Sequence, residues 1–573
     1  MMRSVKQKIL QYLSCCLVIC ANCCWHSAAL AQPADYFRNP MDIPITLSAN
    51  FGEIRTNHFH TGFDMRTNAE TGYKVYASAD GVISRIKVAA GGFGNALYIT
   101  HPNGYMTVYG HLDRFNDAIA AYVKQQQYAK QSFEVDLFPD GSKFPVKKSD
   151  LIAYSGNSGA SGGPHLHFEI RDASGETYPL NPATFYTLQD TIAPKITALY
   201  LYAPGKTTGL PVQYPIKKTG TGYRLVKDSV IVNDAVMGVA LEAADYMNRA
   251  ANDYGVFEYE VKLDGKIIYD VRFDRMDFAN GRYVNAFTDY RVKQTSGKNI
   301  QRLFRLPGDH NNIYHDLVND GKMLLADSMY HEVEVTATDA YRNYTSLLFH
   351  VKFIPSGKSV VSSAATKRIF SFNQPNNFAA DSIQLNLPAD ILYEDLEFSY
   401  AATLGSKGRY SATHRVQDAN TPVHDSYEIR ILPRKIPPAL RSKAVIAYDE
   451  GKGVSGTKTT RWDGNWLVAK AREFGYFYVL LDTTAPKIAP VNLKQNQVLT
   501  GNNIRFTISD DLSGIVSYKG MLDGQWMLME YDPKNNRLQC TPDKQLSAGE
   551  HSLQITVADD VKNESVYVLK FKK

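Results

Sequence analysis

The sequence predicts a mainly β protein: an antiparallel β-sheet domain with a small helical insertion, followed by further β-sandwich domains. Three observations predict it. The 573 residues exceed what one hydrophobic core supports, so the chain divides into roughly three to five domains. Tyr and Phe are plentiful, at 36 and 26 copies, which suits strands more than helices. Short apolar runs bounded by Gly, Asn and Pro turns recur along most of the chain.

The first 31 residues have the features of a cleaved secretory signal. Arg3, Lys6 and Lys8 precede an apolar stretch from about Ile9 to Ala21, and Ala29-Leu30-Ala31 supplies the small-x-small pattern before a cleavage site. Gln11 and Ser14 interrupt that stretch, which is short for a membrane span. An uncleaved anchor is the bland alternative. Lipidation at Cys20 or Cys23 is disfavoured, because Ile19 and Asn22 stand where a small residue is needed. No later segment is long and apolar enough to cross a bilayer, so the mature chain is expected to have no transmembrane segment. Five of the six cysteines lie in the signal, leaving Cys540 with no disulfide partner. The formal net charge is +5, and the signal supplies three of those charges. The rest is too nearly neutral for a nucleic-acid footprint.

Residues 32–189 alternate short strands with turns, and one piece breaks the pattern. Asp117 to Gln131 is rich in helix formers and opens on Asp. It leads to Phe133–Leu137 and a Pro139-Asp140-Gly141 turn, which together predict a helix-plus-hairpin insertion. An internal repeat organises the remainder of the chain. Asp190-Thr191-Ile192-Ala193-Pro194-Lys195-Ile196 recurs as Asp482-Thr483-Thr484-Ala485-Pro486-Lys487-Ile488. The segments 331–353 and 551–573 also correspond: two alternating strands joined by a polar turn, Asp339 to Asn343 in one and Asp559 to Asn563 in the other. Residues 190–355 and 481–573 therefore read as related β-sandwiches of immunoglobulin-like type, with a third β-rich domain at 356–480.

Three clusters carry chemistry: His60-Thr61-Gly62-Phe63-Asp64, Tyr109-Gly110-His111 and Gly163-Pro164-His165-Leu166-His167-Phe168-Glu169. In the last, histidines alternate with Leu166, Phe168 and Ile170, so on a strand both imidazoles face one side, about 7 Å apart. Such a pair serves one zinc directly and its water indirectly, although an isolated His-x-His is more often two exposed strand histidines. His60 and Asp64 are four apart, and Gly62 with its β-forming neighbours favours an extended segment. Catalytic zinc keeps three protein ligands and one open position, and His60, Asp64 and His167 supply that set. His58 would close the open position and is read as structural. Gly159-Ala160-Ser161-Gly162-Gly163 matches the hydrolase nucleophile elbow, but that motif needs a strand before it and a helix after it. A Gly-rich turn bordering the groove is the better reading.

In this order and spacing the three clusters resemble the LytM/lysostaphin-type zinc metallopeptidases, from about Phe51 to Arg171. Phe51-Gly52-Glu53, Ala79-Asp80-Gly81-Val82-Ile83 and Gly156-Asn157-Ser158-Gly159 match the same pattern. The resemblance implies one Zn2+ per chain on His60, Asp64 and His167, with His165 and His111 beside the water that the metal activates. It also implies a peptidoglycan stem or bridge peptide as substrate, in the periplasm, the cell envelope or outside the cell. His165 is the expected general base and His111 the expected oxyanion partner, two roles the sequence does not separate. Glu169 shares the strand face and is expected either to orient a ligand imidazole or to be a surface glutamate. Two departures stand out: the insertion after His111, and Ser149 where the family often has Gly. The competing expectation is a non-enzymatic wall-binding regulator or scaffold, with the β-sandwich domains docking to an envelope protein partner.

Overall fold

Alternating apolar and polar residues build a nine-stranded sheet in the first domain. Its main strands are β1 (Leu47–Ala49), β2 (Phe63–Arg66), β3 (Gly81–Val88), β4 (Asn95–Thr100), β5 (Tyr105–Leu112), β6 (Val135–Leu137) and β7 (His165–Asp172). They lie in the order β1-β2-β7-β5-β4-β3-β6. The late strand β7 thus inserts between β2 and β5. Register sets His167 opposite Asp64 on one side and opposite Gly110 on the other. Leu166, Phe168 and Ile170 point to the other face and are fully buried. Each contributes roughly 1.5–3 kcal/mol by leaving water, which holds the histidine-bearing face in register. A one-residue slip would turn the imidazoles into the core.

The computed structural model describes residues 35–174, 178–205, 211–248, 250–355, 368–542 and 546–573. The chain separates into two compact units, Met1–Arg38 and Asn39–Lys573. The expected signal, 1–31, lies outside the described residues, and all the sheets belong to the second unit. No helix among the described residues is long and apolar enough to cross a membrane.

The insertion carries the expected helix, α1 (Asp117–Lys130). The Asn116 side chain accepts from the Ile119 N–H at 3.0 Å and caps its start. Gln131 ends it in the left-handed region. Ile119, Val123 and Gln127 form its buried stripe, four residues apart. The hairpin expected after it does not form. Val135–Leu137 and Pro145–Val146 do not pair with each other; both pair with β3. The reason is that β3 has eight residues and an open edge, long enough to take both short segments in succession. Ser149 adopts φ 79°, and its N–H bonds the Ala77 carbonyl at 2.9 Å. The position thus keeps a glycine-like conformation at a cost of roughly 1–2 kcal/mol for an L residue.

Residues 195–353 form a five-stranded and a seven-stranded sheet. Residues 368–481 form two five-stranded sheets and a two-stranded one, and residues 487–572 two four-stranded sheets. The repeat is legible in space. Tyr330–Thr338 pairs antiparallel with Tyr344–Phe353, and Glu550–Asp559 pairs antiparallel with Glu564–Lys572. In each hairpin turn an asparagine amide reaches back to the carbonyl that opens its repeat. Asn343 Nδ2 donates to Asp190 O at 3.2 Å, and Asn563 Nδ2 to Asp482 O at 3.0 Å. Two short helices, Val284–Phe287 and Tyr290–Ser296, lie in this region, the second capped by Asp289 and ended by Gly297. Phe287 packs on Phe59, with ring centroids 5.7 Å apart, and Asn285 Nδ2 donates to Asn57 Oδ1 at 2.9 Å. Phe51 and Phe59 belong to the same buried cluster as Leu199, Val239, Val261 and Val335. The segment that leads into His60 and the sheets of residues 195–353 therefore share one core.

Both repeats also carry a histidine–aspartate pair, His331 Nδ1 to Asp264 Oδ2 and His551 Nδ1 to Asp523 Oδ2, each at 2.7 Å. The Asp264 carboxylate raises the His331 pKa, and Asp523 raises that of His551. Stability from a raised imidazole is fully present below the unfolded value near 6.5 and is lost as pH rises through the folded one. Denaturation midpoints should therefore fall between about pH 6.5 and the alkaline side. The double variant Asp264→Asn/Asp523→Asn should flatten that slope, and an unchanged slope would dismiss these pairs as its source.

Candidate metal centre

His60 follows the short strand His58–Phe59 and is pinned by its backbone, its N–H bonding Glu53 O at 2.8 Å. Its Nδ1 lies 2.7 Å from Asn50 O. A carbonyl accepts only, so Nδ1 carries the proton and Nε2 presents a lone pair. His167, 3% exposed, has Nε2 at 2.9 Å from Glu169 Oε1, which leaves Nδ1 bare. His60 Nε2 and His167 Nδ1 face each other at 3.1 Å. Asp64 Oδ1 stands 3.0 Å from the first and 2.8 Å from the second. Three ligand atoms of His60, Asp64 and His167 thus converge within 4.8 Å. When both imidazoles are neutral, as metal ligands must be, no proton lies between three facing lone-pair donors. That arrangement is repulsive unless a cation sits among them, and two imidazoles with one carboxylate are a zinc donor set.

The remaining expected residues close around this point. His165 Nδ1 bonds Gly163 O at 2.8 Å. Its Nε2 is buried with no hydrogen-bond partner, 3.3 Å from Asp64 Oδ1. His111 Nδ1 bonds Ser158 O at 2.8 Å, and its ring lies 4.8 Å from that of His165. The His111 backbone has φ 57°, the kind of local strain that collects at functional sites. His58 is exposed and bonds Thr56 O, outside the cluster. Ser161 Oγ donates to Gly163 O at 2.8 Å, and no helix follows it. It is a turn residue, as expected.

Glu169 is no surface residue: it is fully buried. Its carboxylate takes Thr61 Oγ1 at 2.5 Å and Arg171 Nε at 2.5 Å besides His167. Burial pushes the Glu169 carboxyl up, but Arg171, His167 and Thr61 outweigh it and hold the pKa at about 2. Burial pulls His167 down, but Asp64 and Glu169 on its two sides lift it to about 9. Asp64 is likewise disfavoured by burial, and His60, His165 and His167 hold it far below the carboxylate range. Burial, with His167 and His165 adding to it, depresses His111 to about 3.

Several contributors escape the sequence. Arg55 Nη2 pairs with Asp64 Oδ2 at 3.1 Å and fixes the carboxylate's outer oxygen. Phe93 stacks on His167 with centroids 4.7 Å apart. Lys534, far along the chain, donates from Nζ to Asn157 O and, at 3.2 Å, to Ser161 O on the groove loop. Only Arg171 had a signal: it continues the alternation of His165, His167 and Glu169 on one strand face.

Gly62 lies where β2 begins, and a Cβ there would meet Phe168 O at 2.3 Å. Gly62→Ala should therefore destabilise the protein by about 2–4 kcal/mol, through displacement of β7 from β2. Denaturant unfolding checks this, and a loss under about 0.5 kcal/mol, the range of surface substitutions, would contradict it.

Residues 58–133 match peptidase family M23, and residues 367–482 match the Zu5-like domain. The chain is 37% identical over 131 residues to the DD-carboxypeptidase/endopeptidase Mpg of Neisseria meningitidis serogroup B, covering 23% of this chain and 24% of that one. It is 32% identical over 141 residues to the peptidoglycan DD-endopeptidase ShyA of Vibrio cholerae, covering 23% and 26%. The catalytic domain of lysostaphin from Staphylococcus simulans overlaps 25% of this chain and 91% of its own, at 23% identity and a TM-score of 0.19. The chain spans about a quarter of the length of these curated relatives. The similarity to peptidase family M23 thus falls on the segment that carries His60, Asp64 and His111, and the similarity to the Zu5-like domain falls on the third set of sheets.

Proposed function

We propose that this chain is a zinc-dependent endopeptidase that hydrolyses peptide cross-links of bacterial peptidoglycan in the cell envelope, with His60, Asp64 and His167 holding one Zn2+. The observation that carries the reading is the convergence of His60 Nε2, Asp64 Oδ1 and His167 Nδ1 to within 3.1 Å of one another. The substrate class is carried over from the relatives, ShyA being a peptidoglycan DD-endopeptidase. The ion, when bound, supplies Lewis-acid polarisation of the scissile carbonyl and activates water at neutral pH.

The protein's own groups do the rest. His165 holds its proton on Nδ1 through Gly163 O, so its unpartnered Nε2 is an acceptor. The Asp64 carboxylate stands 3.3 Å from that nitrogen. His165 is accordingly the general base, and it returns that proton to the leaving amine. His111 has the same tautomer, fixed by Ser158 O, and burial keeps it neutral. Its Nε2 therefore accepts and orients an N–H or O–H of the reactants. An oxyanion-donor role would require the charged form that burial opposes. Glu169, anchored by Arg171 and Thr61, fixes the His167 ring.

Purified protein should carry one zinc per chain and release cross-linked muropeptides from cell walls. His60→Ala or His167→Ala should abolish both, whereas His165→Ala should keep the zinc and lower kcat by about 10²–10⁴. Full hydrolysis by metal-free protein, or none by zinc-loaded protein on any defined fragment, would discard the reading, the latter in favour of a wall-binding regulator.

A second reading concerns access. The Lys534 contacts with Asn157 O and Ser161 O place the last domain on the groove rim, and Trp526 of the same domain packs edge-on against Tyr128 of α1, centroids 5.0 Å apart. The last domain then restrains substrate entry. Lys534→Ala should raise kcat/KM severalfold on cross-linked substrate, and an unchanged value would dismiss the restraint.

A further inference from the structure

The two repeats each gather a carboxylate cluster that the peptidase reading does not use. In the first, Asp190 opens the Asp-Thr-x-Ala-Pro segment, Asp245 follows the strand Val236–Ala244, and Asp339 begins the hairpin turn. Each offers an oxygen, and the three lie within 4.8 Å of one another. Asp482, Asp510 and Asp559 occupy the same three places in the last domain and converge likewise. Among the described residues, no Lys, Arg or His forms an ion pair with any of the six.

The clusters differ in how they are satisfied. In the last domain Asp482 accepts from Thr484 N and Ser513 N. Asp559 accepts from Asn563 N and Nδ2, and Asp510 Oδ2 from Leu512 N and Gly514 N. Only Asp510 Oδ1 is left without a partner. In the first domain Asp339 is served in the same way, by Tyr341 N, Asn343 N and Asn343 Nδ2. Asp190 Oδ2 and Asp245 Oδ1, however, are buried with no hydrogen-bond partner. Asp245 is 4% exposed. An unpartnered carboxylate oxygen this deep, beside two further carboxylates, is stable in its ionised form only with a cation beside it.

We propose that Asp190, Asp245 and Asp339 bind one calcium ion. The donors are all hard oxygens, with none of the nitrogen or sulfur that zinc sites use. Calcium takes several carboxylate oxygens in a flexible shell, whereas magnesium keeps most of its waters and is held by one or two carboxylates. The site also has a mechanical consequence. The Asp245 and Tyr254 backbones bond each other in both directions at 2.9 Å, and Tyr254 Oη donates to Leu47 O at 2.8 Å. Gly255 exchanges two bonds with the Asn50 side chain, and Asn50 O is the acceptor that fixes His60. The ion would brace the segment that buttresses a ligand of the metal centre. Its binding does not depend on the peptidase reading.

The test uses the full chain, zinc-loaded and freed of calcium on a chelating resin, then dialysed against millimolar calcium, the working range of weak extracellular sites. Bound calcium is counted by elemental analysis, and melting temperature is read with and without it. Wild type should bind one equivalent and melt higher with calcium. Asp245→Asn should lose that equivalent and the shift, yet melt no lower than wild type without calcium, because the amide removes a buried charge. Asp510→Asn should keep the equivalent. No bound calcium in wild type would overturn the proposal, as would its retention in Asp245→Asn or its loss in Asp510→Asn alone. An Asp245→Asn protein that melts lower without calcium would overturn it too, by giving the carboxylate a structural role. If Asp245→Asn fails to fold, Asp190→Asn carries the same test: loss of the ion supports the site and retention refutes it.

Discussion

The structure around the candidate metal centre depends on one constraint: His60 Nε2, Asp64 Oδ1 and His167 Nδ1 must be held facing one another at about hydrogen-bond distance. Such an arrangement persists only if each ring is prevented from rotating or moving its proton. The protein does this from outside. Asn50 O, Glu169, Gly163 O and Ser158 O each hold the far nitrogen of one imidazole. Three of the four acceptors are backbone carbonyls, which no titration can remove. The exception, Glu169, is buried between Arg171 and Thr61, so its charge is set by neighbours and not by solvent.

The sheet order makes this possible. Strand β7 comes late in the chain, yet it lies between β2 and β5, so His167 has a neighbour from an earlier strand on both sides. Asp64 arrives from one side and the Gly110–His111 corner from the other. Gly62 is small because β7 passes close by: a Cβ there would strike Phe168 O at 2.3 Å. Close strand approach and convergent ligands are thus one geometric fact.

Much of this was legible in the residues. The alternation through His165–Arg171 gave the strand and its face, Asp117 and the helix formers after it gave α1, and the duplicated Asp-Thr-x-Ala-Pro segments gave the repeat. What escaped depends on long-range packing that no local pattern encodes. Phe93 reaches His167 only because a turn between β3 and β4 folds over β7. Lys534 reaches the groove from more than 370 positions away. The strands after α1 have the spacing of a hairpin, but the free edge of β3 offers them a longer ladder. Glu169 was undecidable from its strand position, since the same face is polar whether it meets water or a buried network.

The cluster that takes in Phe51 and Phe59 together with the first sandwich bears on how such a protein is assembled over generations. A catalytic domain joined by a loose tether can be exchanged like a cassette. Here the aromatic residues just before the His60 segment are part of the neighbour's interior, and cutting the chain between the two would open a wound on both halves. The two are therefore one packing unit, and parting them would expose apolar surface on each.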